Sequence, residues 1–310
     1  MKAIRFHDYG GPEVMKYEEV AKPSPKEDEI LVRVHAVSVN PVDWKIREGH
    51  VRKRIQIPLP GTPGGDLSGV VEQAGSAVAG FKAGDPVFAH IGLLGAYADY
   101  VVIKPQMAAP KPARMDHVQA ASVPLAGLTA WQALFGTGGL KAGQRVLVQA
   151  AAGGVGMFAV QFARQAGAEV VGTCSAANAE FVRGLGASRT IDYRSESFEP
   201  YARSFDLVLD SIGGETGLQS LGLLKPGGIL VGVAPPGDAV VAKANESGLR
   251  AVGMMVRPDG ESLAKIARLI DAGEVTTSVA AVFPLAEAGR AHEQIKLGHT
   301  RGKIVLRTGA

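Results

Sequence analysis

The sequence predicts an α/β protein of two domains, a compact antiparallel barrel followed by a doubly wound parallel sheet. Three observations lead there. The chain has 310 residues, enough for two domains of ~100–200 residues each. Its first third consists of short strand-like runs separated by Gly/Pro turns, the composition of a small barrel. Beyond about residue 120, β-branched runs alternate with helix-compatible segments, which implies parallel strands covered by helices on both faces. The expected organisation is a first domain over 1–122, a dinucleotide-type domain over 123–260, and a return to the first domain over 261–310.

In the first domain, 29–39 (EILVRVHAVSV) alternates apolar and polar positions as a half-buried strand does. Runs 69–74 and 97–103 are further strands, set off by turns at 58–65 and 82–86. In the second, six runs read as strands: 146–149, 169–173, 190–192, 205–210, 229–233 and 249–256. A helix is expected over 125–135, and others over 155–166, 179–185, 216–224 and 261–271. Six strands with intervening helices match a doubly wound nucleotide fold. The strand-like runs 279–284 and 303–307 are expected to rejoin the first domain.

Composition narrows the function classes. Hydrophobic residues make up 46% and charged ones 20%, ordinary for a chain that buries a large core and not for a disordered one. The net charge is +3, with no long basic block, so nucleic acid is not an expected partner. The short cluster at 52–54 lacks interleaved aromatics and reads as a solvated loop. No apolar run reaches the ~20 residues of a membrane span. The opening residues lack a signal-peptide core, which makes the cytoplasm the expected compartment. One cysteine, Cys174, excludes an internal disulfide and any multi-thiolate metal site. No paired Cys or His spacing of a zinc site and no Gly-x-Ser-x-Gly elbow occurs, so no metal residue is assigned and a hydrolase triad has no support. The 40 glycines, about twice the usual ~7%, point to many tight turns and close backbone approaches.

The sharpest signal is 146–156 (VLVQAAAGGVG), a strand running into a glycine-rich turn at which a helix begins. Backbone N–H groups at such a helix start bind a pyrophosphate. Gly153 and Gly156 fill the last two positions of G-x-G-x-x-G, and Ala151 replaces the first glycine. The alternative is a tight turn that binds nothing. An NAD site places an acid about 20 residues on, to bond the ribose hydroxyls. Nineteen residues past Gly156 stands Ser175. Ser175, Asn178 and Tyr193 can donate to a 2′-phosphate that an acid would repel, which favours NADPH. The same three also suit ordinary turn and cap positions.

Six blocks, 39–47 (VNPVDWKIR), 63–71 (PGGDLSGVV), 81–88 (FKAGDPVF), 125–131 (LAGLTAW), 149–156 and 301–306 (RGKIVL), resemble the zinc-independent quinone oxidoreductase branch of the medium-chain dehydrogenase/reductase superfamily. The resemblance implies a GroES-like β-barrel domain, a Rossmann domain and bound NADPH. It also implies a homodimer formed through the Rossmann domain. Zinc-dependent relatives carry a cysteine near Asn40–Pro41 and Gly-His-Glu where this chain has Gly64-Gly65-Asp66. The implied reaction is metal-independent hydride transfer from NADPH to a quinone or an α,β-unsaturated carbonyl. An enoyl-thioester reductase and a non-catalytic NADPH-binding protein of crystallin or sensor type are the alternatives.

By the same likeness the catalytic candidates are Asn40, Asp43 and Lys45. Lys45 stands where many quinone reductases have tyrosine, whereas enone reductases share Asn-Pro-x-Asp-x-Lys. Read as a strand, this stretch puts Asp43 and Lys45 on one face, with Asp43 holding the ammonium that stabilises an enolate. The alternative is a surface ion pair. Thr129 is expected near the nicotinamide or its phosphate, Gly153, Gly154, Val155 and Gly156 at the pyrophosphate, Ser211 and Val233 at the carboxyl ends of strands where such ligands bind, and Val233 and Ala234 facing the nicotinamide; packing alone is the alternative for each. Lys303 is either a cleft residue or a solvent-facing lysine.

Overall fold

A computed structural model describes residues 1–53 and 56–309. Arg54, the end of the basic cluster, lies outside the described residues. The chain divides into two compact units. One comprises Met1–Leu125, Arg257–Gly273 and Thr277–Ala310, the other Ala126–Val256 with Glu274–Thr276.

The first unit is built around the long strand Ile30–Val39. It pairs antiparallel with Lys303–Arg307 on one side and with Asp66–Ala74 and Tyr100–Ile103 on the other. The sheet continues through Pro86–His90 to Ala108–Pro110, and at its other end Val279–Pro284 runs parallel to Lys303–Arg307. Isolated bridges from Ala3 to Ala98 and from Phe6 to Gly61 tie a separate two-stranded sheet, Lys2–Phe6 with Met15–Glu19, to this body. Its core includes Ile4, Val34, Val37, Leu67, Val87, Tyr97 and Leu306.

Ile30–Val39 departs from the half-buried strand that its alternation suggests. Only Arg33 and His35 are partly exposed; the other eight positions are buried. The helix His117–Ala121 explains this, since Ala121 packs with Ala36 and Val305 on the strand's second face. Register at the strand's end matters most for function. Val39 pairs with Ile304, and Ser38 with Asp66. Asn40, one residue on, is therefore placed between Lys303 and Asp66.

The second unit is a six-stranded sheet in the order Arg189–Asp192, Glu169–Cys174, Arg145–Val148, Phe205–Asp210, Leu224–Gly232, Arg250–Gly253. Every neighbouring pair is parallel. In chain order this is 3-2-1-4-5-6, the doubly wound nucleotide-binding arrangement, whose switch point lies between Arg145–Val148 and Phe205–Asp210. The last strand is shorter than the expected 249–256 run. The helix expected over 125–135 is α-helical over Pro124–Trp131 and widens into a π-helical turn over Gln132–Thr137. Leu147, Val171, Ile191, Phe205, Val208 and Leu230 form the core.

Phe205 is fully buried and stacks on Tyr201 at 6.1 Å between ring centroids. Its replacement by alanine leaves a cavity that a parallel sheet cannot close, and is expected to cost about 3–5 kcal/mol. The check is a lowered urea midpoint for the second unit; an unchanged midpoint would show that this core is not cooperative with the sheet.

Candidate active site

The glycine loop lies at the switch point of the parallel sheet. After Arg145–Val148 the chain turns through Ala150, a non-glycine residue at φ 47°. Its N–H donates to Thr173 Oγ1 at 3.1 Å, while Ala151 N–H donates to Thr173 O at 2.9 Å. The helix Gly154–Gln165 then starts from Gly153, an N-cap with no side-chain hydrogen bond. A Cβ on Gly156 would stand 2.3 Å from Ala150 O, so only glycine lets the helix approach the turn. The leading N–H groups of Gly154, Val155 and Gly156 have no intrahelical acceptor, and the helix dipole adds to their pull on an anion.

The other expected cofactor residues fall on the same unit. Ser175 follows Glu169–Cys174 and caps a short 3₁₀ turn; Asn178 N–H donates to its carbonyl at 2.9 Å and Asn178 Nδ2 to its hydroxyl at 3.3 Å. Tyr193 follows Arg189–Asp192 and is 51% exposed. Arg194, which sequence reasoning passed over, donates from Nε to the Tyr193 hydroxyl at 3.2 Å. Ser211 follows Phe205–Asp210 and donates to Gln149 O at 3.2 Å. Val233 and Ala234 follow Leu224–Gly232. Thr129 is buried, and its Oγ1 has no hydrogen-bond partner. A buried hydroxyl without a partner and an uncapped helix N-terminus fit a bound dinucleotide, since both are costly to leave unfilled.

The catalytic candidates of the first unit belong to a buried polar cluster. Asn40 Nδ2 donates to Asp66 Oδ2 at 2.9 Å. Asp66 Oδ1 accepts from Leu125 N–H at 2.9 Å and from His90 Nδ1 at 3.1 Å. On the other side of the Asn40 carboxamide, Lys303 Nζ donates to Oδ1, and to Val39 O at 3.2 Å. Asp43 Oδ2 accepts from Asn40 N–H at 2.8 Å and from the Tyr97 hydroxyl at 2.9 Å, whereas Asp43 Oδ1 has no partner. The Tyr97 oxygen lies 3.3 Å from His292 Nε2, and Arg47 Nη1 lies 3.3 Å from His292 Nδ1. Arginine only donates, so Nδ1 is the acceptor and Nε2–H points at Tyr97.

Charge in so dry a place is expensive, and the groups respond accordingly. Burial pushes the Asp43 carboxyl up to about 7, against the opposing bonds from Asn40 and Tyr97. Burial pushes His292 down to about 3, helped by Arg47. Burial also lowers Lys303, while Asp66 and Asp43 pull it back up.

Lys45 is placed differently from the sequence expectation. Residues Pro41–Arg47 form a helix, not a strand, so residues two apart point away from each other. Asp43 faces inward, and Lys45 is exposed with its ammonium 5.7 Å from the Trp44 ring. The ammonium beside Asn40 is that of Lys303, 3% exposed, which rules out its solvent-facing alternative. Asp66, His90, Tyr97 and His292 were also not anticipated; the Gly-Gly-Asp block was the one signal that could have found Asp66. Among the described residues, no three or more His, Cys, Asp or Glu stand together as a metal site.

Comparison with known proteins accords with this geometry. Residues 26–113 match the family described as "Alcohol dehydrogenase GroES-like domain", and residues 185–306 match "Zinc-binding dehydrogenase". An Arabidopsis thaliana protein named NADPH-dependent alkenal/one oxidoreductase is 35% identical, over 99% of this chain and 79% of its own. The solved quinone oxidoreductase of Coxiella burnetii superposes with a TM-score of 0.92 at 37% identity, covering 99% of each chain. The chain belongs to the quinone oxidoreductase branch of the medium-chain dehydrogenase/reductase superfamily. Another solved member of that branch, Escherichia coli quinone oxidoreductase complexed with NADPH, superposes at 0.88 with 32% identity, over 99% of this chain and 100% of its own.

For this quinone oxidoreductase relative, the Asp43 proton has a measurable consequence. Asp43 protonates near pH 7 when folded and near 3.8 as a free carboxyl. Between those values the folded state holds more protons, so stability falls as pH rises, by at most about 4 kcal/mol over the whole interval. His292 acts in the opposite sense and loses stability as pH falls below its ordinary ~6.5. Asp43→Asn removes the first contribution alone. It is expected to raise the urea midpoint above wild type at pH 8, by a margin that shrinks at pH 5 and closes only below the free value of 3.8; a margin unchanged between about pH 5 and pH 8 would mean that Asp43 stays ionised over that range.

Proposed function

We propose that the protein is an NADPH-dependent, metal-independent oxidoreductase that delivers hydride to a quinone or an α,β-unsaturated carbonyl. The observation that carries this is the uncharged strand end at Ser175–Asn178 beside an uncapped glycine-loop helix. The names of the alkenal/one and quinone oxidoreductase relatives and the NADPH complex of the Escherichia coli member support it.

The nicotinamide, when bound, supplies the hydride. The N–H groups of Gly154, Val155 and Gly156, with Gly153 at the cap, hold the pyrophosphate. Ser175, Asn178 and Tyr193 donate to the 2′-phosphate, and the adjacent Arg194 adds positive charge. Thr129, Ser211, Val233 and Ala234 position the nicotinamide end. In the first unit, Asn40, Asp43 and Lys45 handle the acceptor. As hydride reaches the β-carbon of an enone, the displaced electron pair moves to the carbonyl oxygen, and a solvent proton completes the product. What the chain must supply is orientation and a donor toward that oxygen.

Zinc is not part of the proposal, because the donors do not suit it. The single cysteine is a buried strand residue of the other unit, and the Asn40 oxygen is engaged by Lys303. A buried thiol also suits a reducing compartment, and we take the cytoplasm as its place of work. For a homodimer the support is the edge strand Arg250–Gly253, where Val252 is 38% exposed, followed by Met255 at 69%. An apolar sheet edge of this kind pairs readily with a second copy. Among the described residues no helix is long and apolar enough to cross a membrane.

Nicotinamide absorbance, followed with a quinone and an enone offered in parallel, tests the reaction. NADPH is expected to be consumed with at least one acceptor, and dialysis against a chelator to leave the rate unchanged. Ser175→Asp is expected to reduce the preference for NADPH over NADH by about tenfold or more, equivalent to ~1.4 kcal/mol. An unaltered ratio would remove Ser175 from the 2′-phosphate site. Val252→Lys is expected to convert the dimer to monomer by light scattering; a wild-type chain that is already monomeric would end the dimer proposal.

A further inference from the structure

We infer that Lys303 is a positioning residue, whose ammonium fixes and polarises the Asn40 carboxamide for its part in handling the acceptor. This rests on the reading of Asn40 given above. Three features of the cluster lead to it.

The first is the fixed orientation of the amide. An ammonium can only donate and a carboxylate can only accept. With Lys303 on Oδ1 and Asp66 on Nδ2, rotating the carboxamide by half a turn would set donor against donor and acceptor against acceptor. The second is where the lysine spends its charge. Among the described residues Lys303 makes no ion pair; its Nζ bonds are to two neutral oxygens, Val39 O and Asn40 Oδ1. Asp43 and Asp66 only bias it through space. A lysine kept solely to neutralise buried acids would pair with one directly. The third is the donor left over. One Nδ2 hydrogen is engaged by Asp66, which leaves the second as an N–H donor. Withdrawal of electron density at Oδ1 strengthens that donor, as in any polarised hydrogen-bond chain. A preorganised donor of this kind favours an oxygen that becomes negative as hydride arrives.

The backbone supports so exact a placement. Gly302 has φ 75°, and a Cβ there would lie 2.2 Å from Ser278 O. The following strand begins at Lys303, and the Ile304–Val39 pairing holds the lysine beside Asn40. Burial of both residues, at 3% and 1% exposure, removes the water that would otherwise compete for the amide.

The test is a double-mutant cycle on the full chain with NADPH and whichever acceptor it turns over. Asn40→Ala examines the underlying reading. Lys303→Met removes the ammonium while keeping the length of the side chain. Lys303→Met is expected to lower kcat about 100-fold, with the far-UV spectrum retained and NADPH affinity by fluorescence within about twofold. Because Lys303 acts through Asn40, the double variant is expected to be no slower than Asn40→Ala alone within about threefold. Lys303→Arg, which restores a cationic donor, is expected to recover kcat to within about tenfold of wild type. The inference is overturned if Lys303→Met turns over like wild type while Asn40→Ala is impaired, or if the two losses multiply. Should Asn40→Ala retain full kcat, the reading of Asn40 has failed and the role of Lys303 falls with it. If Lys303→Met does not fold, Lys303→Gln runs the same cycle with the charge removed and a neutral amide in its place.

Discussion

The hydrogen bonds on either side of the Asn40 carboxamide hold together the part of the molecule on which its chemistry depends. They join the end of Ile30–Val39 to Asp66 on one neighbouring strand and to Lys303 on the other. Asp43, Asp66, Arg47 and Lys303 are all at or below 3% exposure. Buried charge is tolerable only when each group finds a partner. The arrangement found is a directed chain rather than a set of isolated pairs. Arg47 donates to His292, His292 to Tyr97, and Tyr97 to Asp43. Asp43 and His292 both respond to burial by favouring their neutral forms, so the chain carries less net charge than its residue types suggest.

The second unit solves a different problem with backbone alone. A parallel sheet leaves its strand ends and helix starts unsatisfied at one edge, and the switch point concentrates them. Glycine at 156 brings the helix against the turn, while the left-handed Ala150 makes the turn tight enough. In the neighbouring loop the Asp210 carboxylate accepts from the N–H groups of Ile212 and Gly213 at 2.8 and 2.9 Å. There a side chain takes up the N–H groups of the turn, whereas at Gly153 no side chain caps the helix entry.

Legibility in the sequence followed the range of the interaction. The glycine loop, the strand-helix alternation and the uncharged end of the second strand are local patterns, and they were readable as such. Asn40-Pro41 was also a local signal, since proline at the first helical position after an asparagine cap starts a helix. Reading that stretch as a strand sent Asp43 and Lys45 to the same face and paired them, whereas the helix separates the two. Lys303 could not be recovered from local periodicity, because it meets Asn40 across 263 residues. His292 was missed for the same reason, being 195 residues from Tyr97. Sheet register creates the first contact and the packing of the helix Ala288–Lys296, which carries His292, creates the second; neither is written in any window of sequence.

That same register fixes an order of assembly. Lys303–Arg307 lies between Val279–Pro284 and Ile30–Val39 in the sheet, so the first unit lacks an interior strand until residues 303–307 have been synthesised. The second unit, continuous over Ala126–Val256 apart from three residues, has its six strands together much earlier. The unit that begins the chain is thus the last to close, and it waits as an open sheet with exposed edges. The strand that seals this sheet also brings in the ammonium beside Asn40, so that a closed sheet and a finished polar cluster are produced in one event.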